Sequence, residues 1–307
     1  MKKNKLHIAY DDVYLKWKLG HTDSSHPTNP IRAKIATEML STEFDVEILT
    51  PNATVIDRDR LGLVHSSSYI SEVLDDGCSS EWFPDSIEKG QVALEMFAGT
   101  ARCAEKIVSG EATIAFNPQG AKHHAQRKNS SGFCVFNDMA WAALDFNARG
   151  YKVMYIDWDA HHGDGVENIL RDHYDIITAS IHDSVIFPGT GLNGHSPDEG
   201  VYNWALDPAS DDKAFASAMI EIEALADKVK PDIVLLATGA DAHITDPLST
   251  LMFDYPGYTH AAEAVARIAN KYSQGRVLIG GAGGYQPFDH TPKIWATVVS
   301  QIYRNVL

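Results

Sequence analysis

The chain has 307 residues, 44% of them hydrophobic, and a formal charge of −15. That composition supports a large folded core and excludes collagen-like, coiled-coil and disordered classes. The acidic balance suits ordinary solubility, argues against nucleic acid or anionic membrane as partners, and favours cationic ones such as basic peptides or polyamines.

The amino terminus carries Lys2, Lys3 and Lys5 but then a stretch too short and polar for a signal-peptide core, and no run reaches membrane-spanning length. A cytoplasmic protein is expected. Residues 6–10 read as a first strand, followed as far as Pro30 by loop chemistry rich in His, Pro, Ser and Thr. Asn29-Pro30 opens a helix with apolar spacing through Ile35, Ala36, Met39 and Leu40, leaving Arg32 for the surface or an ion pair. Residues 46–49 predict a strand and residues 69–74 a short helix ending near Gly77. Residues 78–84 lack periodicity and predict a loop with Trp82 and Phe83 exposed on a binding rim. A long helical pattern follows at 87–108, then a strand at 112–116. That strand ends in Asn117-Pro118-Gln119-Gly120-Ala121-Lys122-His123-His124-Ala125, and the apolar residues 133–136 beyond it hold the paired histidines between two buried elements. Cys78, Cys103 and Cys134 are odd in number and widely spaced, which predicts free thiols in a reducing compartment.

Residues 153–156 form a short apolar run that reads as a buried strand, with Asp157, Asp159, His161, His162 and Asp164 crowded at its carboxyl end. A lone Asp or His at a strand end is usually a cap or a satisfied polar group. So many together repel one another and resist desolvation, which makes the cluster costly without a cation. On an extended strand end Asp157, Asp159 and His161 point to one side. Residues 176–181 predict another strand, ending at His182-Asp183 before the turn Phe187-Pro188-Gly189-Thr190-Gly191. Residues 232–238 predict the next, and its end supplies Asp241 as a further oxygen ligand. Residues 276–279 predict the last, ending in the glycine run 280–284, whose positive-φ freedom sets Tyr285 deep in a site. Asp246-Pro247 reads as turn chemistry; His7, His65, His173, His195, His260 and His290 are expected to be exposed or bonded locally, and His182 and His243 lie beside the site. Strands alternating with helices predict an α/β fold, a parallel sheet with helices on both faces, in one domain over residues 1–307.

A divalent metal on Asp159, His161 and Asp241 would keep coordination positions open for a substrate carbonyl and water. His123 and His124 then supply base and acid, with Asp157 and Asp164 as the carboxylates that tune them. Tyr285 offers a hydrogen bond to the developing oxyanion, and Phe133 and Phe187 wall a channel for an aliphatic arm. These parts make a metal-dependent amide hydrolase.

The set His123-His124-Ala125, Ser131-Gly132-Phe133-Cys134, Asp157 to Gly165, Phe187 to Gly191, Gly239-Ala240-Asp241, Asp246-Pro247 and Gly283-Gly284-Tyr285 resembles the zinc-dependent histone deacetylase family. His26-Pro27 with Pro30 and Arg32 is similar to its amino-terminal motif, and the length and glycine run resemble bacterial members of the acetoin-utilisation type. The resemblance implies the arginase-deacetylase fold with one parallel eight-stranded sheet, and zinc or ferrous iron on Asp159, His161 and Asp241. It implies His124 as general base and acid, His123 as its electrostatic partner, Tyr285 as the carbonyl-polarising group, and Asp157 and Asp164 as the orienting carboxylates. Gly132, Phe133, Phe187 and Gly283 would line the substrate path. A structural potassium ion is implied on backbone oxygens of Asp157, Asp159, His161 and Ile181 and the side chains of Asp157 and Ser180.

Three departures stand out. The rim acid that grips a peptide backbone in the family has no clean match between Glu81 and Ser86. Ala282 stands where polyamine deacetylases and class II relatives commonly carry Glu, and residues 119–122 lengthen the approach to the histidine pair. The substrate expected is an acylated lysine of a protein or a small acylated amine. Two other readings compete. A binuclear manganese ureohydrolase would leave Tyr285 and the histidine pair without a purpose, and a non-catalytic acyl-lysine binder would keep the pocket without turnover.

Overall fold

The computed structural model describes residues 5–19, 27–171 and 173–306. His26 of the amino-terminal motif lies outside them. Short apolar runs form β1 (Leu6–Ala9), β2 (Val46–Leu49), β3 (Ile114–Asn117), β4 (Val153–Asp157), β5 (Ile176–Asp183), β6 (Val201–Leu206), β7 (Ile233–Thr238) and β8 (Val277–Gly281). They pair in one eight-stranded sheet in the order β2-β1-β3-β8-β7-β4-β5-β6, every pair parallel. This is the arginase-deacetylase α/β architecture.

The helices are α1 (Ile31–Glu43), α2 (Arg58–Gly62), α3 (Ser67–Leu74), α4 (Ile87–Val108), α5 (Asp138–Ala148), α6 (Asp164–Leu170), α7 (Asp212–Val229), α8 (Tyr255–Tyr272) and α9 (His290–Asn305). Period-two alternation divides the core between two faces of the sheet. Val153 and Tyr155 of β4 join the cluster built with α3, α4 and α5, whereas Met154 and Ile156 join the one built with α1, α7, α8 and α9. Because both faces are covered, the central strands read as unbroken apolar runs rather than as alternation. Helix starts follow local chemistry: the Asn29 side chain accepts from the Ile31 N–H at 3.0 Å, and Ser86 caps α4 through the Lys89 N–H. Among the described residues no helix is long and apolar enough to cross a membrane.

Three expectations are corrected. The sequence predicts no strand between the turn 187–191 and the strand at 232–238, but β6 begins at Val201 and closes the sheet edge beside β5. Of Val-Tyr-Asn-Trp-Ala-Leu only Val201 and Asn203 are buried, so the segment lacks the unbroken apolar run of the central strands. Trp82 is not on an exposed rim: it is buried, its indole N–H donates to the Gly77 carbonyl at 2.8 Å, and its ring meets Trp17 edge-on. Only Phe83, 71% exposed, keeps the expected position. His65 is buried and bonded far along the chain, with Nδ1 3.0 Å from the Gln126 carbonyl and Nε2 accepting from the Asn137 N–H.

Candidate active site

Four neighbouring strands, β3, β8, β7 and β4, end side by side and deliver the candidate residues to one place. Ligands of open parallel sheets sit beyond these carboxyl ends. β3 leads to His123 and His124, β8 to Tyr285, β7 to Asp241, and β4 to the run from Asp157 to His161.

Past β4 the chain curls by side-chain turns. Asp157 accepts from the Asp159 N–H and Asp159 from the His161 N–H, each at 2.9 Å, so each carboxylate shapes the backbone that aims the next ligand. Asp241 ties in β7 by accepting from the Ala160 N–H at 2.9 Å. His161 Nδ1 lies 2.9 Å from Asp241 and 3.1 Å from Asp159. Donor atoms of Asp159, His161 and Asp241 fall within 4.8 Å of one another. The Gly283 N–H donates to Asp159, and a Cβ at Gly283 would stand 2.0 Å from the Asp241 carboxylate, so only glycine fits there.

Two buried carboxylates this close repel. Burial and the Asp159 charge push Asp241 up to about 7, while the two carboxylates outweigh burial and raise His161 to about 10. The triad thus holds a proton at the point where its donors converge. Two carboxylate oxygens and an imidazole nitrogen are a donor set that a divalent cation satisfies, displacing that proton.

The histidine pair stands beside the triad. His123 Nδ1 is 2.8 Å from Asp157, whose same oxygen accepts from the Tyr155 hydroxyl at 2.6 Å. His124 Nδ1 is 2.7 Å from Asp164, which is also held by the Gln126 amide at 2.8 Å. The two rings are tilted 50° to each other with centroids 4.1 Å apart. Burial opposes charge on His123, but Asp157 and Asp159 prevail and raise it to about 9; burial and the adjacent His123 charge lower His124 to about 4. Near neutral pH the first imidazole carries a charge and the second is free to accept a proton.

Above them opens a pocket of about 410 Å³ lined by Phe133, Ile186, Phe187, Leu248, Tyr285 and Glu81 around His124 and His161. Its size and apolar wall suit a small organic group. Gly132 has φ +54°, and a Cβ there would stand 2.5 Å from the His124 ring, so the wall can approach the imidazole only because that residue is glycine. Burial and the charges of Asp241 and Asp159 hold the Tyr285 phenol far above its usual range, keeping it a neutral donor.

The structure therefore brings together Asp157, Asp159, His161, Asp164, Asp241, His123, His124, Tyr285, Gly132, Phe133, Phe187 and Gly283. Ser180 stands opposite Asp157 in the β5 register, with Ile181 next along the strand. Four residues have a larger part than the sequence suggested. Arg32 is corrected from surface to interior: it is buried, donates to the Gly284 carbonyl and lies over the Trp295 ring at 4.9 Å. The apolar spacing of α1 gave no sign of this. Asp246 is more than a turn residue, since it accepts from the Tyr285 N–H at 2.8 Å as well as from Leu248. Asp138, not singled out from sequence, clamps the approach to the histidine pair by accepting from Ala121 and Lys122 N–H groups. Glu81 reaches the pocket wall and accepts from the Phe133 N–H at 2.8 Å. His182 packs on His162 and His243 on His290; neither lines the pocket.

Comparison with known proteins bears on the family and the fold. The histone deacetylase domain profile matches residues 26–302. The acetoin utilization protein AcuC of Bacillus subtilis is 33% identical over 89% of this chain and 76% of its own. AcuC of Staphylococcus aureus (strain MRSA252) is 29% identical over 96% of this chain and 81% of its own. The crystal structure of the HDA15 HD domain superposes with a TM-score of 0.81 at 25% identity, covering 97% of this chain and 90% of that one. With the profile spanning nearly the whole chain and the fold concordant, the chain belongs to the histone deacetylase family, and its activity class is that of a deacetylase acting on acylated amines.

Proposed function

We propose that residues 1–307 act as one catalytic domain, a cytoplasmic zinc-dependent deacylase that hydrolyses the amide of an acylated lysine or a related amine. The observation that carries this is the convergence of Asp159, His161 and Asp241 beside a neutral imidazole and a neutral phenol at the foot of an apolar pocket. Zinc, with ferrous iron as the alternative, would be held by those three side chains and would polarise the substrate carbonyl and acidify a water. Phe133 and Phe187 flank the aliphatic arm, exclude water and bring the carbonyl between His124 and Tyr285. His124 Nε2 takes the proton of the attacking water, while Asp164 holds Nδ1 and so fixes the tautomer. The same nitrogen returns the proton to the departing amine. His123, charged through Asp157 and Asp159, stabilises negative charge that develops beside it. Tyr285 donates to the carbonyl oxygen as it becomes an oxyanion, its backbone pinned by Asp246. Asp157 and Ser180, side by side on β4 and β5, would hold a structural potassium ion with the backbone oxygens of Asp157, Asp159, His161 and Ile181.

Glu81 and the charge of −15 also favour a small cationic acylated amine as substrate beside protein acyl-lysine. The test is hydrolysis of an acetyl-lysine peptide and of acetylated putrescine by metal-stripped protein reloaded with zinc, with metal content measured in parallel. One zinc per chain and release of acetate are expected, with Asp241→Asn losing both. Two manganese ions per chain would favour a ureohydrolase, and bound zinc without turnover of any acylated amine would favour a binding module.

A further inference from the structure

The carboxylates behind the two histidines are held differently. Asp157 is fully buried, and the oxygen that faces His123 also accepts from the Tyr155 hydroxyl. The Asp164 side chain is 15% exposed; its Oδ1 faces His124 Nδ1 at 2.7 Å, and its Oδ2 accepts from Gln126 Nε2 at 2.8 Å. Among the described residues no other donor reaches either oxygen. The orientation of the carboxylate that steers His124 therefore rests on one amide.

That amide is itself fixed. Gln126 Oε1 accepts from the Asn168 side-chain amide of α6 at 3.0 Å, and Nε2 faces both Asp164 and the His124 backbone carbonyl, the latter at 3.3 Å. A flipped amide would set its oxygen against two acceptors and its nitrogen against a donor, so only one sense satisfies the network. The backbone of Gln126 is pinned from the other side. The Asn137 N–H donates to His65 Nε2, which leaves Nδ1 as the protonated nitrogen, and Nδ1 lies 3.0 Å from the Gln126 carbonyl. One half-buried side chain thus ties together the backbone of His124, the carboxylate behind its ring and the exposed Asn168. It belongs neither to the pocket wall nor to the triad.

We infer that Gln126, oriented by Asn168, is a positioning residue for deacylation. Its amide locks the Asp164 carboxylate and the His124 backbone in one geometry, so that His124 Nε2 stays aimed at the attacking water and then at the departing amine. This deepens the deacylase reading and rests on it. Neither Gln126 nor Asn168 exchanges a proton in the reaction. A carboxylate released by its amide can turn about its Cβ–Cγ bond or take water on Oδ2, and the imidazole follows it. Small displacements of a group that transfers a proton cost rate far more than they cost substrate binding, which puts the effect on kcat and not on KM.

The test compares the zinc-loaded wild type with Gln126→Met, Asn168→Asp and the two changes together. Gln126→Met keeps the side-chain length and removes the donor. Asn168→Asp, an exposed change, offers a carboxylate to the Gln126 amide and turns its nitrogen away from Asp164. In acyl-lysine hydrolysis Gln126→Met should lower kcat about fivefold and Asn168→Asp about threefold, with KM held within about twofold. The double variant should be no slower than Gln126→Met, because Asn168 acts only through that amide. The His124 Nδ1 proton, read by NMR and assigned by its loss in His124→Ala, should shift in both single variants while the His123 resonance stays in place. That readout needs no turnover. A misfolded Gln126→Met would displace both resonances, and then Asn168→Asp decides. Wild-type kcat and an unmoved His124 resonance in both variants overturn the positioning role and leave the deacylase reading intact. A slow Gln126→Met beside an unaffected Asn168→Asp keeps Gln126 and removes Asn168 from the inference. A His124 resonance that depends on Gln126, in a protein that hydrolyses no acylated amine, keeps the positioning and overturns the deacylase reading.

Discussion

Two imidazoles lie side by side beside the triad, and their proton affinities are shifted in opposite directions. His123 and His124 are sequence neighbours, each with Nδ1 within 2.8 Å of a carboxylate. Yet the first is raised to about 9 and the second lowered to about 4. The direct hydrogen bonds are alike, so they do not explain the difference. His123 senses both Asp157 and Asp159, which overcome burial, whereas His124 has burial and the His123 charge against it. Proton affinity at this depth is set by the balance of all surrounding charges rather than by the single nearest contact. His65, buried between a carbonyl and an amide with no carboxylate at hand, is a natural control and is lowered to about 4.

This comparison can be broken by substitution. His124→Ala removes the imidazole that accepts the water proton and is expected to lower kcat by about 10³. His123→Ala, which removes an electrostatic partner, should cost about tenfold to a hundredfold less than that. Equal losses in steady-state assays would show that the two sites share one role. Tyr285→Phe takes away the phenol donor while leaving the triad, and kcat should fall by about 10² with metal content unchanged. Undiminished turnover would remove Tyr285 from the mechanism.

The smallest effect sharpens the control. The folded-state pKa of His65 lies below the unfolded value of about 6.5, so between those two pH values the unfolded chain holds the extra proton. Stability is then lost as pH falls through that window, and His65 alone contributes about 2 kcal/mol of loss between pH 7 and pH 5. His65→Asn, although less stable at pH 7, should show a correspondingly flatter decline in urea-denaturation midpoint over that range. A decline as steep as in wild type would assign the acid sensitivity to other histidines, with His182, also lowered to about 4, the first to examine.

Legibility followed the reach of each interaction. Central strands and α4 were readable because buried parallel strands and a capped amphipathic helix leave local periodic patterns, and α4 runs over the same residues 87–108 as its pattern. The metal-type triad was readable because carboxylates and imidazoles are rarely crowded at a strand end without a cation. β6 was not, because its segment lacks an unbroken apolar run. Trp82, Arg32 and Glu81 were misplaced or left open because their partners, Trp17, Gly284 and Phe133, lie far away in sequence.

The sequence by itself determined the alternation of strands and helices, the residue types gathered at each strand end and, through its ordered motifs, the family. Only the tertiary structure decided that β3, β8, β7 and β4 stand next to one another, since strand order is a property of chain crossings and not of any local run. It also decided which of two adjacent histidines keeps its proton and that Lys122 and Arg32 come together beside Asp159. Charge balance and burial are sums over neighbours brought together from distant parts of the chain, and those sums exist only once the chain has folded.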